Sequence, residues 1–323
     1  MTSSSVKSSS VNSPAVNSTS INSPAVTTHL TVSCIGGGHL GTTLCRLLLE
    51  QQSDIRISIG QLLNNSFESS LKAVEFIGDG SAVKDRERLK PADLWLITTP
   101  DNAIQEVCEA LSESGVLAPG NIVLHCSGSL SSKIIRLPDQ QCYRASVHPI
   151  HSFADPLISL STFAGSSCAV EGDDQATGLL NQLFSSIGGN CFPIQSAQKA
   201  LYHAATVMAC NNLVALLAMS KQMLAEADID QGQQDQILNP LIRQTVDNYL
   251  NNTDPAAILT GPISRGDHNT VEAHLDALSS LSQWRNAYAA LGEVAVGLAE
   301  QQGYASDDQL EKISDLLARA TDY

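Results

Sequence analysis

From His29 onward, short apolar runs alternate with stretches whose apolar residues recur every three or four positions. The run His29–Ile35 predicts a strand, after which Leu40, Leu44, Leu47 and Leu48 fall on one helix face. Ile55–Ile59 predicts a second strand, Ser66–Lys72 a short helix and Val74–Ile77 a third strand. A fourth strand, Asp93–Thr99, is ended by Pro100, and Asn102–Leu111 is helical with Ile104, Val107 and Leu111 in phase. After the Pro119-Gly120 turn, Asn121–Cys126 makes a fifth strand, and Ala145–Val147, Ser167–Val170 and Cys191–Ile194 offer three more short runs. Strands alternating with helices predict an α/β fold, a doubly wound parallel sheet covered by helices on both faces.

Past Gln195 the β-branched runs thin out and long Ala/Leu-rich helical stretches take over. Helices are expected at Gln198–Ala227, Asp235–Asn251, Thr270–Leu281, Trp284–Gln302 and Asp307–Ala320, an all-α C-terminal domain. The boundary falls near Ser196, giving domains over 29–195 and 196–323. Ala204–Met219 is apolar nearly all round, which predicts burial in a core or between subunits and a homodimer through the helical domain. Residues 1–28 are mostly Ser, Asn, Thr, Val and Pro, with one lysine and a five-residue period. Such a segment cannot bury enough apolar surface to offset its ordering entropy, so a disordered tail is expected.

The first strand runs into Gly36-Gly37-Gly38-His39-Leu40-Gly41, a G-x-G-x-x-G that opens a helix. In that order Gly36 makes the turn, Gly38 lets the backbone approach a pyrophosphate, and Gly41 packs the helix against the sheet. The first helical N–H groups then face the phosphates. A parallel sheet binds ligands beyond the C-terminal ends of its strands. Those ends read Thr98-Thr99-Pro100-Asp101, His125-Cys126-Ser127-Gly128 and His148-Pro149-Ile150-His151. The second strand is followed by Gln61-Leu62-Leu63-Asn64-Asn65, with no carboxylate before Glu68 for a ribose diol and no arginine for a 2′-phosphate. Absence of the acid leans toward NADP without excluding NAD.

Composition narrows the partners. Of 323 residues 43% are hydrophobic, and Lys+Arg 18 against Asp+Glu 33 gives a net charge of −15. That balance argues against nucleic acid and against an anionic membrane. Eight cysteines without a C-x-x-C pair suggest free thiols in a reducing cytoplasm, with no metal site. The N-terminus lacks the pattern of a signal peptide.

Lys199, His203, Thr206 and Cys210 share one face at the start of the long helix, with Asn211 flanking it. A lysine polarising a carbonyl and a histidine supplying a proton would suit a reduction. Arg265, in the turn Leu259–Asp267, has the planar fork that suits a substrate carboxylate.

Together the glycine motif, Thr99-Pro100-Asp101, His125-Cys-Ser-Gly128, His148-Pro-Ile-His-Ser-Phe153, Lys199-Ala-Leu-Tyr-His203, Asn211 and Leu259-Thr-Gly-Pro-Ile-Ser-Arg-Gly-Asp267 with His274 resemble one family. It couples a Rossmann-like NADP-binding domain to an all-helical C-terminal domain of undefined function. Its members are called predicted oxidoreductases, similar to 6-phosphogluconate and β-hydroxyacid dehydrogenases and pyrroline-5-carboxylate reductases. The resemblance implies that NADP binds, that the helical domain forms dimers, and that Ser127-Gly128 holds substrate beside the catalytic Lys199. Where those dehydrogenases place an asparagine one turn after the lysine, this chain has His203.

The expected site is therefore Lys199, His203, Ser127 and His148 as catalytic residues. Gly36, Gly37, Gly38, His39, Leu40, Gly41, Thr98, Thr99, Pro100 and Ser127 line the cofactor, and His125, Asn211 and Arg265 face a small-molecule substrate. The expected activity is NADP-dependent hydride transfer to or from a small carbonyl or imine. The alternative is a dinucleotide-binding redox sensor without turnover.

Overall fold

In the computed structural model, which describes residues 28–137 and 142–321, the strand-helix alternation of the first half becomes an eight-stranded sheet. Its strands are β1 (Thr28–Ile35), β2 (Ile55–Leu63), β3 (Ser81–Val83), β4 (Leu94–Ile97), β5 (Ile122–His125), β6 (Tyr143–Pro149), β7 (Ser167–Gly172) and β8 (Asn190–Pro193). The order is β3-β2-β1-β4-β5-β6-β7-β8. Every neighbouring pair is parallel except β6 with β7. The first six strands follow the doubly wound dinucleotide-binding order, which reverses between β1 and β4 and opens a crevice there. The expected fold is present, with one antiparallel pairing added. The expected tail lies outside the described residues, apart from Thr28, which opens β1.

The helices of this part are α1 (His39–Glu50), α2 (Phe67–Ile77), α3 (Asp101–Glu113), α4 (Pro156–Thr162) and α5 (Asp174–Ser186). Leu44 and Leu48 of α1 are buried, with Leu40 and Leu47 packed against the same core. The third strand expected at Val74–Ile77 is instead the last turn of α2. Ser66 caps that helix by accepting from Ser69 N, and Gly78, at φ +82°, stops it in a left-handed turn. The apolar residues Val74 and Ile77 face the core at helical spacing, which a four-residue window reads equally well as a strand. Neither α4 nor α5 was expected; Asp155 caps α4 by accepting from Ile158 N, with Pro156 at its first position.

The chain divides into two compact units, one reaching Thr206 and one starting at Val207. The helix α6 (Lys199–Val207) closes the first, and a five-residue π turn, Met208–Asn212, opens the second. The second unit is all helical: α7 (Leu213–Glu226), α8 (Gln231–Leu250), α9 (Pro255–Ile258), α10 (His268–Ala277), α11 (Ser282–Gln302) and α12 (Asp307–Thr321). Its core is built from α10, α11 and α12, with Val271, Ala289, Ile313 and Leu317 fully buried. The expected burial of Ala204–Met219 in a core is not found: Met208, Leu213 and Val214 are exposed. Residues 196–226 are long and apolar enough to cross a bilayer by length and composition.

Candidate active site

The glycine loop leaves β1 where β1 and β4 part. Gly36 sits at φ +94°, and a Cβ there would lie 2.6 Å from Thr99 N, so only glycine fits. Gly38 is exposed, and a Cβ there would meet nothing nearer than Gly36 O at 3.9 Å. Its open side leaves the loop backbone accessible. A Cβ on Gly41 would collide with Thr98 Oγ1, so the glycine sets how closely α1 approaches β4. Thr98 Oγ1 donates to Gly36 O at 2.8 Å, Thr42 Oγ1 to Gly37 O at 2.9 Å, and Asn64 Nδ2 to Gly37 O at 3.2 Å. His39 is exposed and its Nδ1 lies 3.1 Å from Phe153 O. Leu40 is half-buried, and Pro100 is exposed at the start of α3.

A cavity of about 360 Å³ opens beside this loop, lined among others by Gly36, Asn64, Asn65 and Thr99. Two of its polar atoms, Asn64 Oδ1 and Thr99 Oγ1, are buried without a partner. Unpartnered buried oxygens are costly unless a ligand or water completes them. A bare loop backbone, an adjacent cavity and two unmet acceptors fit a dinucleotide.

The second cluster forms where β5 and β6 end and α6 begins, all within the first unit. Ser127 Oγ donates to Asp101 Oδ2 at 2.7 Å and accepts from Leu130 N at 3.0 Å, so its hydroxyl fixes the turn after β5. Lys199 is fully buried beneath that turn. Its Nζ donates to Ser127 O at 3.0 Å and to Ser146 Oγ at 2.6 Å. Burial pushes the Lys199 ammonium below its usual range, against the pull of Glu171, Cys126 and Asp101. Glu171, buried on β7, accepts from Ser132 N at 2.5 Å, Ser132 Oγ at 2.9 Å and Ser196 Oγ at 2.6 Å.

Above the turn stand two imidazoles. The rings of His148 and His203 meet edge to face, with centroids 5.3 Å apart. A Cβ on Gly128 would lie 2.9 Å from His148 Cε1 and would collide with His203 Nδ1. The Ser127-Gly128 turn therefore sits directly against both rings. His148 Nδ1 is 2.9 Å from the Tyr202 hydroxyl. Burial, then the His203 and Lys199 charges, lower His148 to a pKa of about 4, so it is neutral at pH 7. Burial raises Tyr202 to about 12, which keeps it a phenol. His125 is fully buried and also lowered to about 4, chiefly by burial. Its Nδ1 accepts from Ser127 N at 3.2 Å and its Nε2 lies 3.2 Å from Ser131 O, so it braces the turn.

The structure thus gathers Ser127, His148, Lys199 and His203 in one cluster, with Lys199 buried beneath the turn rather than open to a substrate carbonyl as expected. It adds Asp101, Ser146, Glu171 and Tyr202, which sequence reasoning did not single out. Tyr202 and Asp101 lie within the motifs at the helix start and the fourth strand end; an acid directly after the apolar run Ser167–Val170 was the signal for Glu171. Asn211 lies in the π turn and Arg265 is exposed in the 259–267 turn, both in the second unit. That turn carries its own structural logic: Asp267 accepts from Thr270 N at 3.1 Å and caps α10. His274 Nδ1 lies 2.8 Å from the Tyr288 hydroxyl.

Comparison with known proteins fits this geometry. No curated protein matches the sequence. Among solved structures, a Thermotoga maritima protein is 26% identical, with a TM-score of 0.64 over 84% of this chain and 99% of that one. A candidate NADP oxidoreductase of Bacteroides fragilis is 20% identical, with a TM-score of 0.63 over 85% and 98%. Pyrroline carboxylate reductase of Plasmodium falciparum with NADP bound is 10% identical, with a TM-score of 0.51 over 89% and 98%. The last two likenesses concern fold. A Rossmann-like family model matches residues 14–149, which contain the glycine loop, Ser127 and His148. A second model, Domain of unknown function (DUF2520), matches residues 166–295, which contain Glu171, Lys199 and His203. The chain joins a Rossmann-like domain to a DUF2520 domain, and its site draws on both.

Proposed function

We propose that this protein is an NADP-dependent oxidoreductase that transfers hydride to or from a small carbonyl or imine. One observation carries the reading: a short run of contacts, two of them hydrogen bonds, leads from the glycine loop to the histidine pair. Gly36 O is held by Thr98, Asp101 three residues on holds Ser127, and Ser127-Gly128 seats His148 and His203. Gly36, Gly37, Gly38 and the first turn of α1 would hold the pyrophosphate, with Thr99 and Pro100 beside the nicotinamide. The bound dinucleotide supplies the hydride. His203 carries the proton for the developing alkoxide or amine. His148, neutral, hydrogen-bonds the substrate's polar group. Lys199 acts from beneath the turn, holding Ser127 O and placing positive charge under the site.

The test is a screen of carbonyl and imine compounds for NADPH oxidation. Against a turned-over compound, His203→Ala lowers turnover by about two to four powers of ten and leaves NADPH affinity intact. Unchanged turnover removes His203 from the mechanism; NADPH binding with no turnover in the whole screen favours the sensor reading.

The exposed apolar residues Leu213 and Val214 of α7 and Leu241 and Leu250 of α8 support a homodimer through the second unit. Sedimentation is expected to give twice the 34.2 kDa chain mass. A strictly monomeric protein contradicts that assignment.

A further inference from the structure

The exit of β2, Asn64-Asn65, offers neither a carboxylate for a ribose diol nor an arginine for a phosphate. The fold brings charge to the same place from the next strand. β3 pairs with β2 in parallel, Val83 opposite Leu63, so the chain leaving β3 runs beside the chain leaving β2. That exit reads Lys84-Asp85-Arg86-Glu87, and all four residues line the cavity that reaches back to Gly36 and Thr99.

The segment is held in place. Gln61, buried on β2, accepts from Lys90 N at 2.6 Å and donates to Arg88 O at 3.2 Å. A side-chain amide that clamps both groups fixes the turn carrying Lys84 and Arg86 against the sheet. The four charges sum to zero but are not equivalent. Asp85 is turned to Arg88, 3.9 Å away. Arg86 is 3.6 Å from Glu106, an exposed pair of the kind that holds its partners weakly. Lys84 makes no ion pair among the described residues, and neither does Glu87. Of the two cations lining the cavity, Lys84 is unpaired among the described residues and Arg86 is held only by an exposed pair, and the neutral Asn64-Asn65 edge adds no repulsion.

We infer that Lys84 and Arg86 form the subsite for the adenosine ribose 2′-phosphate, replacing the β2-exit arginine that this chain lacks. The inference rests on the dinucleotide reading above and gives it a specificity. Lys84 meets the phosphomonoester as a point charge, and Arg86 leaves Glu106 to meet it with its planar fork.

Calorimetric titration of the full-length protein with adenosine 2′,5′-bisphosphate, AMP, NADPH and NADH tests it without any turnover. The wild type is expected to bind the bisphosphate at least about tenfold more tightly than AMP, since hydrogen bonds to charged groups are the strong ones. The advantage should shrink as salt rises. Both side chains are exposed, so Lys84→Ala/Arg86→Ala should fold normally, lose that preference, and keep its NADH affinity. Equal binding of the bisphosphate and AMP by the wild type overturns the inference, as does an equal loss of NADPH and NADH affinity in the variant. So does an NADH preference that Glu87→Gln relieves, which gives the cavity to the carboxylate. Failure of NADPH and NADH alike to bind overturns the dinucleotide reading itself.

Discussion

Acidification should loosen the first unit, and His125 allows the amount to be worked out. This imidazole is fully buried behind the Ser127-Gly128 turn, and its Nδ1 accepts a backbone N–H from Ser127. A proton on Nδ1 would face that N–H, so protonation must break the brace. The folded pKa of about 4 lies below the ordinary value of 6.5. The unfolded chain therefore binds the proton first. Stability from this group is fully present above pH 6.5 and is lost as pH falls toward 4. A gap of about 2.5 pKa units corresponds to about 3 kcal/mol in total, of which about 2 kcal/mol is gone by pH 5. The assay is urea unfolding of wild type and His125→Gln at pH 8 and pH 5, followed by circular dichroism. Glutamine can both accept from Ser127 N and donate to Ser131 O, but it does not titrate. His125→Gln should therefore lose less stability between the two pH values, by about 2 kcal/mol. His148, also lowered to about 4, contributes a loss of the same sign that both proteins share. Parallel stability profiles for the two proteins would mean that His125 does not titrate with the unfolding.

Gly128→Ala would drive a Cβ into His203 and against His148. Because both rings are movable side chains, we expect a stability cost of only about 1 kcal/mol, near one hydrogen bond. NADPH affinity should be unchanged and turnover of any accepted substrate sharply reduced; wild-type turnover would separate the rings from the chemistry. Glu171→Ala leaves the Ser132 and Ser196 donors without their acceptor and removes the charge that most favours the Lys199 ammonium. Urea unfolding should show a loss of about 3 kcal/mol or more, and a loss under 1 kcal/mol would show that the carboxylate is replaceable.

Much of the first unit was legible because its signals are local. The apolar run His29–Ile35, three glycines and a leucine stripe specify strand, turn and helix within about 20 residues. Misreading Val74–Ile77 as a strand has a local cause too: four apolar residues fit either period, and the deciding features were the Ser66 cap and the Gly78 stop. The antiparallel turn of β7 against β6 has no comparable local signature, since pairing is set by the whole sheet. The site divides the same way. Ser127, His148, Lys199 and His203 announced themselves at strand ends and at a helix start. Glu171 and Ser146 act through neighbours 25 to 53 positions away, and no spacing rule reaches that far. The β3 exit is the sharpest case. Reading the β2 exit alone found no cation, whereas parallel pairing of Leu63 with Val83 sets Lys84 and Arg86 beside it.

Whether the backbone after β1 grips a pyrophosphate is decided by calorimetric titration of NADP into the purified protein and into Gly36→Ala. At φ +94°, with Thr99 N 2.6 Å from the new Cβ, alanine must displace the loop. Saturable heat with one site per chain is expected for the wild type and none for Gly36→Ala. Absence of heat with the wild type, or equal heat with the variant, would contradict it.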